Sequence, residues 1–243
     1  MSELTQYILV VVIFFFAAFL QGLTGFGFGL AAMSLLPLVM PFQDAVILAA
    51  VLGLSVNLFT FLSYRHEYDW RLGRGLILGA IVGAPCGVAI VQWVDESILI
   101  RALGLLICVF TLNDLLLSKR GKTSIPESWG FPLGMLSGIF GAAFNIGGPP
   151  AVMYSYSRPW TKMQVVAVLQ VMFLVIGLIR VALSFGAGLV QLQDVKLAVI
   201  TVLPMFLAIY FGRKLLDKVP QGHLRTVVFV ALLLIGANYL LLG

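Results

Sequence analysis

Ten apolar stretches, parted by short polar or glycine-rich breaks, run the length of this chain. The first half reads as Thr5–Gln21 and Leu30–Met40, then Asp44–Ser63, Leu72–Trp93 and Ile98–Leu117. The second half repeats the order with Trp129–Phe144 and Ala151–Tyr156, then Met163–Phe185, Val195–Phe211 and His223–Leu242. These runs are long and continuous rather than alternating, so they predict helices and exclude the strands of an outer-membrane barrel. A helix needs about 20 apolar residues to cross a bilayer. Leu30–Met40 and Ala151–Tyr156 are too short for that and predict re-entrant half-helices. Each follows a glycine-broken segment, Gln21-Gly-Leu-Thr-Gly-Phe-Gly-Phe-Gly29 in one half and Gly138-Ile-Phe-Gly-Ala-Ala-Phe-Asn-Ile-Gly-Gly-Pro-Pro150 in the other. A helix broken in lipid strands backbone N–H and C=O groups, so the break survives only where protein or a wet cavity receives them.

The halves align. A shift of 125 residues places Asp69-Trp-Arg71 on Asp194-Val-Lys196, Gly87 on Gly212, and Asn113-Asp-Leu-Leu-Leu117 on Asn238-Tyr-Leu-Leu-Leu242. The broken segments align at a shift of 116, Gly22 on Gly138 and Gly25 on Gly141. The predicted organisation is a first membrane repeat over 1–117, a cytoplasmic linker over 118–128, and a second, inverted membrane repeat over 129–243.

Composition and charge turn that pattern into a topology. The chain is 61% hydrophobic and 10% charged, with a mean hydropathy of +1.07, which places it among integral membrane proteins. The start lacks a basic stretch, so no cleavable signal peptide is expected. Basic residues gather in some connections: Arg65, Arg71 and Arg74; Lys119, Arg120 and Lys122; Arg158 and Lys162; Arg213, Lys214, Lys218 and Arg225. The positive-inside rule puts these in the cytoplasm, and the net charge of +5 is read as loop charge, not nucleic-acid binding. The second broken pair then enters and leaves on the cytoplasmic side and the first on the outer side. Each half becomes one re-entrant hairpin plus three transmembrane helices, the halves are inverted, and both termini lie outside. The expected fold is thus an all-α integral membrane protein of two inverted repeats, multi-pass in a bacterial inner membrane. Cys86 and Cys108 fall in apolar spans and read as packing residues.

The hairpins carry the chemistry. The second half-helix of each starts near mid-membrane, where its first N–H groups lack intrahelical partners and its dipole end is positive. Such an end binds anions. Gly25, Gly27, Gly147 and Gly148 let backbone approach a ligand, with Phe26 between the first two. Gln21, Thr24 and Asn145 lie at the tips, and Asn57, Tyr154 and Gln170 lie within or near spans. All are candidate substrate-binding residues, being donors that can replace the water around an oxyanion. Arg180, about two turns from the outer end of its span, is expected to snorkel to the interface. Asn113 and Asn238, in matching places near helix ends, read as structural. No acidic residue and no histidine stands at mid-span, which argues against a carboxylate-built cation site and suits an anionic substrate. No catalytic residue, metal ligand or cofactor motif is found.

At this point the residues resemble the TauE/SafE sulfite exporter family. The resemblance rests on the first glycine segment with Pro37, on Asn145-Ile-Gly-Gly-Pro-Pro150 with Tyr154, and on Asp69-Trp-Arg71. It implies export, or uptake, of sulfite, thiosulfate, sulfoacetate or related organosulfonates. Phenylalanines between the glycines of the first motif, and the double proline of the second, depart from the tighter pattern of many relatives and leave pocket size open. The sequence therefore leads to a secondary transporter of a small anion, working by alternating access around the two tips. Proton or sodium coupling and a homo-oligomer stay open. An anion channel using the tips as a filter and a structural membrane subunit are the alternatives. An intramembrane enzyme lacks a nucleophile with a base.

Overall fold

A computed structural model describes residues 3–117, 125–190, 192–215 and 221–242. Most of the expected linker, with Lys119, Arg120 and Lys122, lies outside them. So do Lys218 and the side chains of Thr24, Asn113, Asp114, Asp194, His223 and Arg225. The described chain is helical: α1 (Glu3–Thr24), α2 (Phe28–Leu35), α3 (Phe42–Tyr64), α4 (Arg74–Trp93), α5 (Glu96–Leu117), α6 (Gly130–Phe144), α7 (Gly148–Tyr156), α8 (Lys162–Gly186), α9 (Leu192–Leu215) and α10 (Gln221–Leu242). The ten apolar stretches return as ten helices with ends moved by a few residues. α1, α3, α4, α8 and α9 are each long and apolar enough to cross a membrane. The bundle is a multi-pass membrane protein.

Local sequence explains the ends. Pro41, with extended backbone, precedes α3. At α8, the Thr161 side chain accepts from the Gln164 N–H and Gln164 reaches back to the Thr161 N–H, a capping box. α1 differs from expectation in length: its 22 residues would run about 33 Å at 1.5 Å per residue, enough to span by itself. Its first turn nevertheless meets the end of the segment that follows, since Gln6 Nε2 donates to the Val39 carbonyl at 3.0 Å. The first broken pair therefore folds back on itself. The second does too: Tyr154 donates to the Glu127 carbonyl and Arg158 pairs with the Glu127 carboxylate, both at 3.4 Å.

These two hairpin bases stand at opposite ends of α3. The first lies by Phe42, whose N–H donates to Glu96 at 2.7 Å. The second lies by the turn that follows Tyr64, where Tyr68 to Leu78 share a cavity with Glu127, Tyr154 and Arg158. That same end gathers Arg71, Arg74 and Arg158, while Arg213 bonds Ser63 at 2.6 Å and covers the Tyr64 ring. These four arginines, scattered in sequence, thus share one end of the bundle.

The packing has a repeat of its own. Exchanging α1–α5 with α6–α10 preserves the larger helix contacts, though α6 on α8 and α2 on α10 lack a counterpart of similar extent. α4 packs on α6 as α9 packs on α1, and α4 on α8 as α9 on α3. α3 with α8, and α5 with α10, map onto themselves. The α4–α6 contact is the most extensive, because glycines line both sides. Gly75, Gly79, Gly83 and Gly87 come every fourth residue and so share one face. A Cβ at Gly79, Gly83 or Gly87 would meet the carbonyl of Phe131, Met135 or Ile139, and one at Gly134 or Gly138 would meet that of Leu76 or Ala80. In lipid, where burying apolar surface drives little association, such backbone approach is how helices hold together. The matching α1–α9 seam is made by Gly22 against Ile209 and Gly212 against Phe19.

Overpacking a tight core costs about 1–3 kcal/mol and sometimes more. Gly79→Leu and Gly134→Leu should therefore each lower the melting temperature of the purified protein clearly, with loss of the monodisperse peak on size exclusion. Gly186→Ala, where a Cβ meets nothing within 4 Å, should match the parent; equal behaviour of all three would refute the seam.

Candidate functional site

The first tip is tied by two glutamines. Gly25 and Gly27 carry φ of 81° and 104°, in the left-handed region that glycine adopts without strain. The Gly25 N–H donates to the Gln21 carbonyl at 2.8 Å. Gln170 Nε2, from α8, donates to the Gly25 carbonyl at 2.8 Å. Gln21 Oε1 accepts the Phe28 N–H at 3.1 Å, and its Nε2 faces Gly25 O at 3.3 Å and Gln170 Oε1 at 3.5 Å. Both amides are buried, 2% and 0% exposed. Gln21 thus serves as a remote cap for α2, and Gln170 receives the turn from the other half of the chain.

The second tip turns on Asn145. It closes α6 with φ of 56°, the positive-φ non-glycine among the described residues. Its N–H bonds Gly141 and the Ile146 N–H bonds Phe140, so carbonyls of the last turn are satisfied. Its Nδ2 donates to the Val46 carbonyl of α3 at 2.9 Å, binding this tip to the first half. The tips meet: a Cβ added at Gly29 would overlap the Asn145 carbonyl. Gly147 lies against Gly141 and the Ser137 carbonyl, whereas a Cβ at Gly148 would see only the Phe173 ring, 3.8 Å away.

Backbone donors left at the tips are few. In α2 the Phe28 N–H is taken by Gln21 and Ala31 bonds Gly27. That leaves Gly29 and Leu30 without an intrahelical acceptor. In α7, Pro149 and Pro150 have no N–H, so Gly148 is the one residue of the first three that offers an amide. The buried hydroxyls of Ser137 and Ser155 have no hydrogen-bond partner among the described residues.

The expected site residues therefore divide. Gln21, Gly25, Gly27, Asn145, Gly147, Gly148 and Gln170 come together at the joined tips, with Phe26 half-buried in the first turn. Thr24 ends α1, and its side chain lies outside the described residues. Asn57 is half-buried on α3, away from the hydrogen bonds that join the tips. Tyr154 is at the base of the second hairpin, on a cavity of about 800 Å³. That cavity is also lined by Arg71, Arg74, Arg158, Tyr68, Trp70 and Trp160. Arg158 sits 5.8 Å from the Tyr154 ring. Burial, then the charge of Asp69, push the Tyr68 phenol above its ordinary pKa, so it stays a neutral donor at physiological pH. The sequence expectation gave these arginines no part in a site, Arg74 and Arg158 being loop charge and Arg71 also part of the Asp69-Trp-Arg71 motif; the Trp-Arg pair at 70–71 and the Arg-Pro-Trp run at 158–160 were the signal that they could line a wall. Arg180 departs from expectation: it is 3% exposed, where exposure counts lipid-facing surface as well as water. It does not snorkel, because its neighbours enclose it.

Residues 10–239 match the family model described as Sulfite exporter TauE/SafE. A probable inner membrane transporter protein, TsaS of Comamonas testosteroni, is 24% identical over 175 residues, covering 71% of this chain and 73% of that protein. No solved structure matches.

Removing one partner of a buried hydrogen bond costs about 1–3 kcal/mol. Gln21→Leu, which orphans the Phe28 N–H, should therefore destabilise the purified protein by that amount in thermal unfolding. Asn145→Gly, which keeps the left-handed turn but loses the bond to Val46, should cost less than Asn145→Ala. The reverse order would refute the role given to the turn.

Proposed function

The chain belongs to the sulfite exporter TauE/SafE family, and from that membership we propose that it is a secondary transporter of a small sulfur-containing anion, sulfite or an organosulfonate such as sulfoacetate. It works as an exporter in a bacterial inner membrane, with both termini outside. Two inverted repeats, 1–117 and 129–243, rock about the joined tips and expose them alternately. The observation that carries this reading is the meeting of Gly29 with Asn145 while each tip is bonded into the opposite half. The larger helix contacts preserved on exchange of halves, and hairpin bases at opposite ends of α3, support the inversion.

The site chemistry follows. The amides of Gly29, Leu30 and Gly148, at positive helix ends, replace water around the anion's oxygens. The Asn145 side chain is spent on Val46 and the glutamines on the turn, so these three side chains shape the site instead of contacting substrate. The arginine-lined cavity raises the local anion concentration at the cytoplasmic mouth. The name of the relative, a probable inner membrane transporter protein, accords with transport.

Flux of sulfite and sulfoacetate into proteoliposomes, with and without proton and sodium gradients, tests the proposal. Saturable flux is expected, with Gly148→Leu abolishing it. A Cβ there meets only the Phe173 ring at 3.8 Å, so the variant should keep the parent's melting temperature, and Gly148→Ala should give a smaller loss of flux. Flux that never saturates would indicate a channel, and no flux of either anion would overturn the sulfur-anion assignment.

A further inference from the structure

We infer that Arg180 is an oxyanion-binding residue, holding a small oxyanion between α8, α3 and α6 on the far side of the tips from the arginine-lined cavity. The guanidinium is enclosed by protein at 3% exposure, and neither Nε nor Nη1 has a hydrogen-bond partner among the described residues. Position on α8 fixes where it sits. Ile176 meets Gly141 of α6, and Gly177 meets Leu54 of α3. Arg180 follows them by one turn, about 6 Å along the axis, on the face those two residues share. Gly25 meets Val166, Gly148 meets Phe173, and Gly73 beside the cavity meets Val168. The order along α8 is therefore cavity and first tip, then second tip, then Arg180.

A guanidinium stays charged in a protein, and an enclosed charge needs a partner of opposite sign. The elements packed against α8 are α3, α4, α6, α7 and the turn Arg65–Glu67. Their acidic residues are Asp44, in the first turn of α3, and Glu67, in that turn. Asp44 has an interaction of its own, and the Arg158–Glu127 ion pair is elsewhere. From Ile47 to Leu54, α3 offers no polar side chain to Arg180. α6 beyond Gly141 offers only Ala142, Ala143 and Phe144 before Asn145. The charge thus faces apolar stretches of α3 and α6, with Nε and Nη1 lacking a partner among the described residues. A mobile anion completes it, and an oxyanion fits because its oxygens accept charge-assisted bonds from the guanidinium. The matching helix of the first half, α3, carries no basic residue, so this charge belongs to one half alone.

The inference rests on the transport reading only for the class of ligand, and a binding measurement separates the two. The full-length protein, purified in detergent, is heated with increasing sulfite, sulfoacetate or sulfate, and with chloride as control. The parent should be stabilised by at least one of the oxyanions at concentrations where chloride does little. Arg180→Gln and Arg180→Met should fold with an anion-free melting temperature equal to or above the parent's, because an unpaired buried charge has been removed. Their oxyanion response should need at least tenfold more ligand, while Arg180→Lys keeps part of it. A merely structural arginine would give the opposite pattern, a lower anion-free melting temperature with an unchanged anion response, and that would overturn the inference. So would a parent that none of the three oxyanions stabilises. Saturable flux that is equal in parent and Arg180→Gln would overturn the inference while leaving the transport reading intact. Loss of oxyanion response in Arg180→Gln, in a protein that moves neither sulfite nor sulfoacetate, would uphold the inference and remove the reading.

Discussion

A backbone broken inside a membrane must find new partners for the groups that the helix would have satisfied, and in this protein the other half supplies some of them. The Gly25 carbonyl of the first tip is received by Gln170 of α8. Asn145 of the second tip donates to the Val46 carbonyl of α3. Each break is thus made good across the boundary between the halves, and neither hairpin is complete alone. Water cannot stand in for these partners, since Gln21 and Gln170 are shut off from it. The cost of breaking a helix in an apolar medium becomes a reason for the halves to associate.

Small residues make that association possible. A glutamine can reach a carbonyl in another hairpin only if the helices that carry them stand close. The glycine face of α4 draws α6 in until backbone touches backbone, and Gly22 with Gly212 do the same for α1 and α9. Aromatic rings fill what remains: Phe14 stacks on Phe28 behind the first tip, and Phe42 meets Phe144 edge-on behind the second. Glycine has two separate uses here. At Gly25 and Gly27 it permits a left-handed backbone; along α4 it is simply thin.

Much of the fold was legible because bilayer thickness and helix rise turn apolar length into span, and because glycine and proline mark breaks. The ten stretches became ten helices, and four of the loop arginines, Arg71, Arg74, Arg158 and Arg213, came to one end. The site was legible only in outline. Gln21, Gln170 and Asn145 stood out as polar residues in apolar surroundings, but whether such a residue is free for a ligand depends on its neighbours. Those neighbours come from positions up to 149 residues away, as for Gln21 with Gln170. Arg180 was misread for the same reason. Snorkelling is the default for a long basic side chain near a helix end, and nothing local in its sequence told that it would be buried. Pro149 and Pro150 suit the first turn of α7, yet their missing N–H groups also leave the second tip with fewer donors than the first.

That last difference bears on mechanism. A scaffold of two matched halves gives two equivalent outward and inward arrangements only if the halves are chemically alike. Here they share several helix contacts but not charge. The first tip keeps two amides and the second keeps one, because proline removes the others. Arg180 in α8 has no basic counterpart in α3, and three cavity-lining arginines gather at the base of the second hairpin. On the transport reading, an anion that moves between the two ends meets a different set of donors at each stage, so its free energy differs in the two arrangements. A ligand shifts such an equilibrium only by its differential affinity for the two states. Unequal halves therefore give the anion itself a means of biasing which side stays open, a property that matched helices alone would not supply.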